Sequence, residues 1–153
     1  MNYSGAIGGS LIVAGTATSA GSVSGALTVQ PGGITTNSGT VLNPFQVQTN
    51  GYLYNTSLGS LHNIGTGTAG SPQVAAGGIL VNAGSIGDSA TDETLYVNGT
   101  FEDLGSSGMT LLSLAIGSGG TFIPGGDGIG TTTINSDSAG TAGTFPGAAL
   151  LTQ

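Results

Sequence analysis

The chain has 153 residues, seven carboxylates and no lysine or arginine, and therefore a formal charge of −7. Affinity for nucleic acid and for anionic lipid comes largely from cationic side chains, so both are excluded as partners. Cysteine is absent, which removes disulfides, thiol chemistry and cysteine metal sites.

Glycine accounts for 31 residues, and the large aromatics are few: four Tyr, four Phe and no Trp. Each glycine costs backbone entropy on ordering. The composition therefore suits a thin core of Val, Ile and Leu with glycine at its corners.

Leu11-Ile12-Val13 is the first apolar run. It is too short for a signal-peptide core, and no later stretch approaches a membrane-spanning helix. An apolar-x-apolar pair then recurs as Leu11-x-Val13, Leu27-x-Val29, Phe45-x-Val47, Leu95-x-Val97 and Leu114-x-Ile116, with degenerate copies at Pro72-x-Val74 and Thr132-x-Ile134. Alternate side chains of a strand share a face, so each pair sends two residues inward. The second members stand at 13, 29, 47, 74, 97, 116 and 134, which gives spacings of 16, 18, 27, 23, 19 and 18 residues. Repetition of this length is the mark of a solenoid.

A glycine corner and a second apolar step follow several pairs. Pro31-Gly32-Gly33 leads to Ile34, Asn50-Gly51 to Leu53, Gly77-Gly78 to Leu80, and Gly119-Gly120 to Phe122. A third step falls near Val41, Leu58, Ile86, Leu104 and Ile129. Three short strands per repeat describe one coil of a triangular helix of strands, and Gly-Gly or Asn-Gly supplies the positive φ of its corners. No segment carries a helical period, and Gly, Thr, Ser, Val and Asn are poor helix formers.

The predicted fold is all-β: a right-handed parallel β-helix of about seven short, irregular coils, roughly 30 Å long at about 4.8 Å per coil. Residues 1–153 form a single β-helix domain or repeat fragment, with loop insertions near 57–71 and 88–93.

Gly117-Ser118-Gly119-Gly120-Thr121-Phe122-Ile123-Pro124-Gly125-Gly126-Asp127-Gly128-Ile129-Gly130-Thr131-Thr132-Thr133-Ile134-Asn135 resembles a segment near the end of bacterial autotransporter passenger domains. There a glycine-rich, Pro-Gly-containing stretch closes one coil of a β-helix and starts the next. The resemblance implies passenger-like architecture and an extracellular or bacterial cell-surface location. Motif-level similarity covers this stretch alone.

Five of the acids fall close together: Asp88, Asp92, Glu93, Glu102 and Asp103. The plain reading is a solvated loop and strand edge. The sharper one is a Ca²⁺ site, because hard cations prefer clustered carboxylate and carbonyl oxygens. The spacing matches no EF-hand, and Gly125-Gly126-Asp127-Gly128 is a single copy of a pattern that needs consecutive coils to build a Ca²⁺ site. No other metal and no cofactor is implied.

His62, the only histidine, has no nucleophile motif beside it and reads as a loop residue. Asp92 or Glu93 with Glu102 or Asp103 is the one carboxylate pairing suited to glycoside chemistry, but basic and aromatic neighbours are lacking. The chain is expected not to be an enzyme, and polysaccharide cleavage is the remote alternative. Thr16-x-Thr18 and Thr131-Thr132-Thr133 suggest an ice-binding face, yet the motif does not recur coil by coil.

Tyr52 and Tyr54 flank Leu53 and face away from it, making an aromatic pair suited to a sugar ring or a neighbouring molecule. Both ends of a β-helix leave backbone groups open to a further strand, and repeat proteins normally cap them with polar residues. Neither the start, with Tyr3 and Ile7, nor the end, with Phe145, Leu150 and Leu151, resembles a charged cap. The expected function is an extracellular structural protein that associates with itself end to end into a filament, surface layer or matrix fibre. The alternative is an adhesin fragment that binds a glycan or cell surface through the two loops.

Overall fold

One local solution recurs at four corners. In Gln30–Gly33, Gln48–Gly51, Ala75–Gly78 and Gly117–Gly120, the fourth residue's N–H donates to the first residue's carbonyl at 2.8, 2.8, 2.8 and 2.9 Å. The third residue takes positive φ: 76° at Gly32, 59° at Asn50, 76° at Gly77 and 79° at Gly119. That is the type II requirement, which glycine meets without strain and asparagine tolerates. At Gly33 and Gly120 a Cβ would collide with the carbonyl oxygens of Val13 and Val97 in the coil before.

Between such corners the chain runs in short strands. The computed structural model describes residues 1–65, 67–68, 70–88, 93–104, 109–111 and 113–125, together with the strand backbone of 131–136, 143–146 and 151–152. A partial first layer holds β1 (Asn2–Tyr3) and a bridge at Ile7. The first full coil comprises β2 (Leu11–Val13), β3 (Thr16–Ser19) and β4 (Ser22–Val23). The second comprises β5 (Leu27–Val29), β6 (Ile34–Asn37) and β7 (Thr40–Val41), and the third β8 (Phe45–Val47), β9 (Tyr52–Asn55) and β10 (Ser60–Leu61).

In the fourth coil the first strand shrinks to a bridge at Val74, followed by β11 (Ile79–Asn82) and β12 (Ser85–Ile86). The fifth holds β13 (Thr94–Val97), β14 (Thr100–Asp103) and β15 (Met109–Leu111). The sixth holds β16 (Ser113–Ile116), β17 (Thr121–Pro124) and β18 (Thr131–Ser136). The chain then returns as β19 (Gly143–Pro146) and β20 (Leu151–Thr152).

Stacking of these coils makes a parallel β-solenoid with three sides. The long sheet has the order β1-β3-β6-β9-β11-β14-β17-β20, and the short-strand sheet β19-β18-β15-β12-β10-β7-β4. The third sheet joins β2-β5-β8 to β13-β16 through the Val74 bridges. The pairings between these strands are parallel except two at the C-terminal end, where β20 lies antiparallel on β17 and β19 antiparallel on β18.

The core is a set of columns, one residue per coil. Val13, Val29, Val47, Val74, Val97 and Ile116 stand in register along the third sheet. These are the first six of the seven recurring positions. The seventh, Ile134, belongs to β18 in the short-strand sheet, opposite Met109, so the solenoid has about six turns rather than seven. The short-strand sheet contributes Val23, Val41, Leu61, Ile86 and Met109, each at most 1% exposed. The long sheet contributes Ala17, Thr35, Leu53, Leu80, Phe101 and Phe122, and the last two rings stack at 5.1 Å.

Three expected core positions face out instead. Ile34 comes directly after its glycine corner and is 46% exposed, while Thr35 behind it takes the inward place. Leu58 lies on a turn at 80% exposure, and Leu61 fills the column; Leu104 follows a strand end, and Met109 fills it. Ile129 lies outside the described residues. Ser60 and Leu61 remain in the ladder, and His62 N–H still donates to Val41 O at 2.8 Å, so the chain leaves the coil after His62.

Thr35 Oγ1 is buried without a hydrogen-bond partner among the described residues. A buried hydroxyl left unsatisfied costs about 1–3 kcal/mol. Thr35→Val keeps the branched shape and removes the hydroxyl, so stability should rise by about 1 kcal/mol. A urea midpoint equal to or below that of the parent chain would refute this.

Candidate functional site

Side chains that leave the core point either to solvent or into polar ladders, and the two sets do different work. On the outer face of the long sheet the rows are Thr16/Thr18, Ile34/Thr36, Tyr52/Tyr54, Ile79/Val81, Thr100/Glu102 and Thr121/Ile123, each in register with the next. Leu53 is fully buried between Tyr52 and Tyr54, so both tyrosines face out on the long sheet. Ile34 and Ile79 remain 46% and 38% exposed, whereas Val81 is covered to 8% between Tyr54 and Glu102 in adjacent rows. The result is an apolar and aromatic centre bordered by threonines, with Glu102 as the one charged side chain in these rows. Thr-x-Thr occurs in only one of these rows.

Burial, then the Glu102 carboxylate, then Tyr54 push the Tyr52 phenol above its ordinary value of 10.0. The neutral phenol is therefore the form that the folded state prefers.

The inner edge of the same sheet carries a ladder that the spacing of apolar residues does not reveal. Asn37 Nδ2 donates to Asn55 Oδ1 at 2.9 Å, Asn55 Nδ2 to Asn82 Oδ1 at 2.8 Å, and Asn82 Nδ2 to Asp103 Oδ1 at 2.7 Å. All four residues are at most 1% exposed. Asn37 and Asn82 also close their own corners, accepting from the N–H groups of Gly39 and Gly84. The readable signal was Asn37-Ser38-Gly39, Asn82-Ala83-Gly84 and Asp103-Leu104-Gly105, an Asx residue two places before glycine.

The four of the five acids that lie among the described residues do not converge on one point. Glu102 and Asp103 are neighbours in β14 and therefore face opposite sides of the sheet. Glu93, expected in a solvated loop, is 0% exposed, and its carboxylate accepts from Ile64 N–H at 2.7 Å and Asp88 N–H at 3.1 Å. That carboxylate ties together the two excursions from the coil. His62 Nδ1 lies 3.9 Å from Asp88 Oδ2. Asp92 and Gly126–Gly128 lie outside the described residues, and Gly125 sits in a turn with φ of 70°. No group of three or more metal-ligating side chains occurs among the described residues.

The first excursion folds back beside the third sheet. Thr68 and Ser71 pair across a tight antiparallel turn, and Gln73 spans the gap, donating to Ile64 O at 3.1 Å and accepting from Tyr96 N–H at 2.8 Å. Between this loop and β8 lies a slot of about 300 Å³ lined by uncharged residues, among them Pro44, Phe45, Gln46, Ser71 and Pro72.

Among the described residues, each end of the rod shows one strand edge per sheet. At the start these belong to β1, Ile7 and β2; Tyr3 and Ile7 are half-buried against the core. In β2, Leu11 N–H and Val13 C=O bond to the next coil, which turns the Ile12 backbone groups towards the open edge. At the far end the edges belong to β20, β19 and β16. Phe145 stands opposite Thr132, and Leu151 opposite Phe122, so both expected end residues belong to returning antiparallel strands. Leu150 lies outside the described residues.

Two outcomes follow. Asn55→Asp removes the donor to Asn82 and places a carboxylate against a carbonyl oxygen in a buried ladder, so it should cost about 3–5 kcal/mol by chemical denaturation. An Asn55→Asp chain as stable as the parent would show that the ladder contributes little.

The raised Tyr52 pKa adds stability that is fully present below the unfolded value of 10.0 and is lost as pH rises through the folded value. In an ultraviolet titration of the tyrosines, Glu102→Gln should lower the Tyr52 midpoint while leaving it above the ordinary value, because burial is the larger cause. An unchanged midpoint would remove Glu102 from the account.

No protein-family model, curated protein or solved structure matches the chain. Its own geometry is what points to function.

Proposed function

We propose that the chain is an extracellular structural rod that polymerises head to tail into a filament or matrix fibre. The observation that supports this reading is the set of strand edges, one per sheet at each end of the solenoid among the described residues. Unpaired strand edges are templates for further strands unless charge, proline or a cover blunts them. Here the starting edges carry no charged side chain, and Ile12 is 62% exposed beside one of them. A head-to-tail contact between different surfaces does not close on itself, and so generates an open filament.

The resemblance of residues 117–135 to autotransporter passenger coils supports the extracellular setting. The chain's charge comes from carboxylates with reference pKa values near 4, so repulsion between copies fades below about pH 4 and assembly tightens there. The reading assigns no catalytic step and no cofactor.

A second reading, binding of a neutral glycan by a single rod, is favoured by the uncharged slot beside the first excursion.

Electron microscopy of the purified chain at about pH 4 and pH 7, with a search for a meridional repeat near 4.8 Å, tests the first reading. Ile12→Pro deletes the outward N–H of β2 without touching a bond inside the molecule, and proline is tolerated at such an edge. Fibres from the parent chain and none from folded Ile12→Pro are expected. Dispersed parent particles at both pH values, together with saturable oligosaccharide binding, would favour the second reading instead.

A further inference from the structure

We propose that the outer face of the long sheet is a lateral self-association surface, on which a second copy packs face to face with its rod running the opposite way. The inference deepens the filament reading and rests on it only for the strength of the contact.

The face has the anatomy of an interface in miniature. Ile34, Tyr52, Tyr54, Ile79 and Val81 make an apolar centre, and threonines border it on both sides. Aromatic residues are enriched at the core of protein interfaces, where charges are depleted. Apolar patches of this kind need a cover, and the chemistry of the face narrows what that cover is.

Charge comes first. The chain has seven carboxylates and no lysine or arginine, so copies repel one another over most of their surface. Among the described residues of this face the one charged side chain is Glu102, at the rim. With a single carboxylate in six rows, the face lets another acidic rod approach at modest electrostatic cost.

Period comes second. Rows on a solenoid repeat at about 4.8 Å, the spacing between strands, and a second copy has the same period. Rows of one face therefore stay in phase with rows of the other along all six, as in the dry interfaces between identical sheets.

Symmetry then chooses the direction. A two-fold axis along the strand direction runs the rods antiparallel and sets the third row against the fourth. Tyr52 then covers Ile79 of the second copy, Tyr54 covers its Val81, and Thr36 meets its Glu102. Each large ring lies on a smaller aliphatic group, and each carboxylate meets a hydroxyl. Such a contact is self-complementary and closes as a pair.

Area sets the strength. Strands of four residues in six rows present a face of about 13 by 29 Å, or roughly 350–400 Å² per copy. That is about half of what a stable dimer contributes from each side. A pair of single rods therefore associates weakly. Rods already joined end to end repeat the contact along their length, and its strength multiplies with that number.

The test uses three variants of the full chain: Tyr52→Lys, Ile34→Lys at a well-exposed site, and Thr36→Lys. Circular dichroism confirms that each is folded. Sedimentation equilibrium in the Ile12→Pro background isolates the lateral pair from end-to-end growth, and microscopy of the same variants without Ile12→Pro reads filament width. Tyr52→Lys and Ile34→Lys should abolish the weak dimer and leave single-width filaments. Thr36→Lys should tighten the dimer by about tenfold at low salt, with the gain lost at high salt, because it faces Glu102 of the second copy.

Unchanged association in Tyr52→Lys and Ile34→Lys would overturn the surface. Weakening by Thr36→Lys would overturn the antiparallel alignment. Adsorption of the Ile12→Pro rod to microcrystalline cellulose, lost with Tyr52→Lys and without any dimer, would assign the face to glycan instead. Failure of the parent chain to form filaments overturns the end-to-end reading alone, since the lateral pair is still measured as a dimer.

Discussion

The coil-to-coil backbone ladder is the constraint on which everything else depends. Each coil donates and accepts along three sheets, so a residue's place is set by the residue above it as much as by its neighbours in sequence. Stacking at the spacing of β-strands forces like positions into columns, and a column tolerates only what packs against its own kind. Val13, Val29, Val47, Val74 and Val97 satisfy that condition with one side chain, and four type II corners keep the three sides in phase. The coils vary in length because residues added at a corner leave the ladder intact, as the excursion between His62 and Gln73 shows.

The same constraint decides how polar groups are buried in a chain without lysine or arginine. A buried carboxylate usually needs a cation or several hydrogen bonds. Here the donors are amides. Asp103 ends the asparagine ladder and accepts from Asn82, while Glu93 accepts from the backbone of Ile64 and Asp88. The ladder has a direction, with every amide nitrogen donating towards the C-terminal coil. An acid fits only at its acceptor end, where Asp103 stands; at Asn55 it would meet an acceptor.

Much of the architecture was legible because a solenoid writes its period into the sequence. The six-membered column from Val13 to Ile116 and the glycine corners were both visible as repeats. The errors have physical causes. Ile34 was placed inward on hydrophobicity alone, yet the other corners put the inward residue second after glycine, and strand alternation then selects Thr35. Leu58 and Leu104 were read as steps although Leu58 lies on a turn and Leu104 just past a strand end. Ile134 repeats the motif in a different sheet.

The asparagine ladder was missed because asparagine before glycine also signals an ordinary turn. Only stacking reveals that each of these side chains also reaches the next coil. Burial of Glu93 depends on Ile64, 29 residues away, and no local pattern contains that contact. The outward place of Tyr52 and Tyr54 was legible from alternation with Leu53. What alternation could not show is their registry with Ile34 and Ile79, because the coils that bring them together differ in length.

A rod of this kind has two ways to use surface that a thick core would have hidden. Its ends present backbone, which is indifferent to sequence, and its faces present side chains in rows, which are not. Backbone edges give growth without much selectivity, because any extended strand supplies the same hydrogen bonds. The β20 and β19 strands show this within the molecule itself: a segment of opposite direction pairs with edges that elsewhere take parallel partners. Selectivity therefore has to come from the faces, where a partner must match rows of threonine, tyrosine and isoleucine one coil at a time. In the proposed filament, end and face together would let a weak, selective contact be repeated by a strong, unselective one. That is a sufficient physical basis for an ordered fibre built from a chain that lacks disulfides, lysine and arginine.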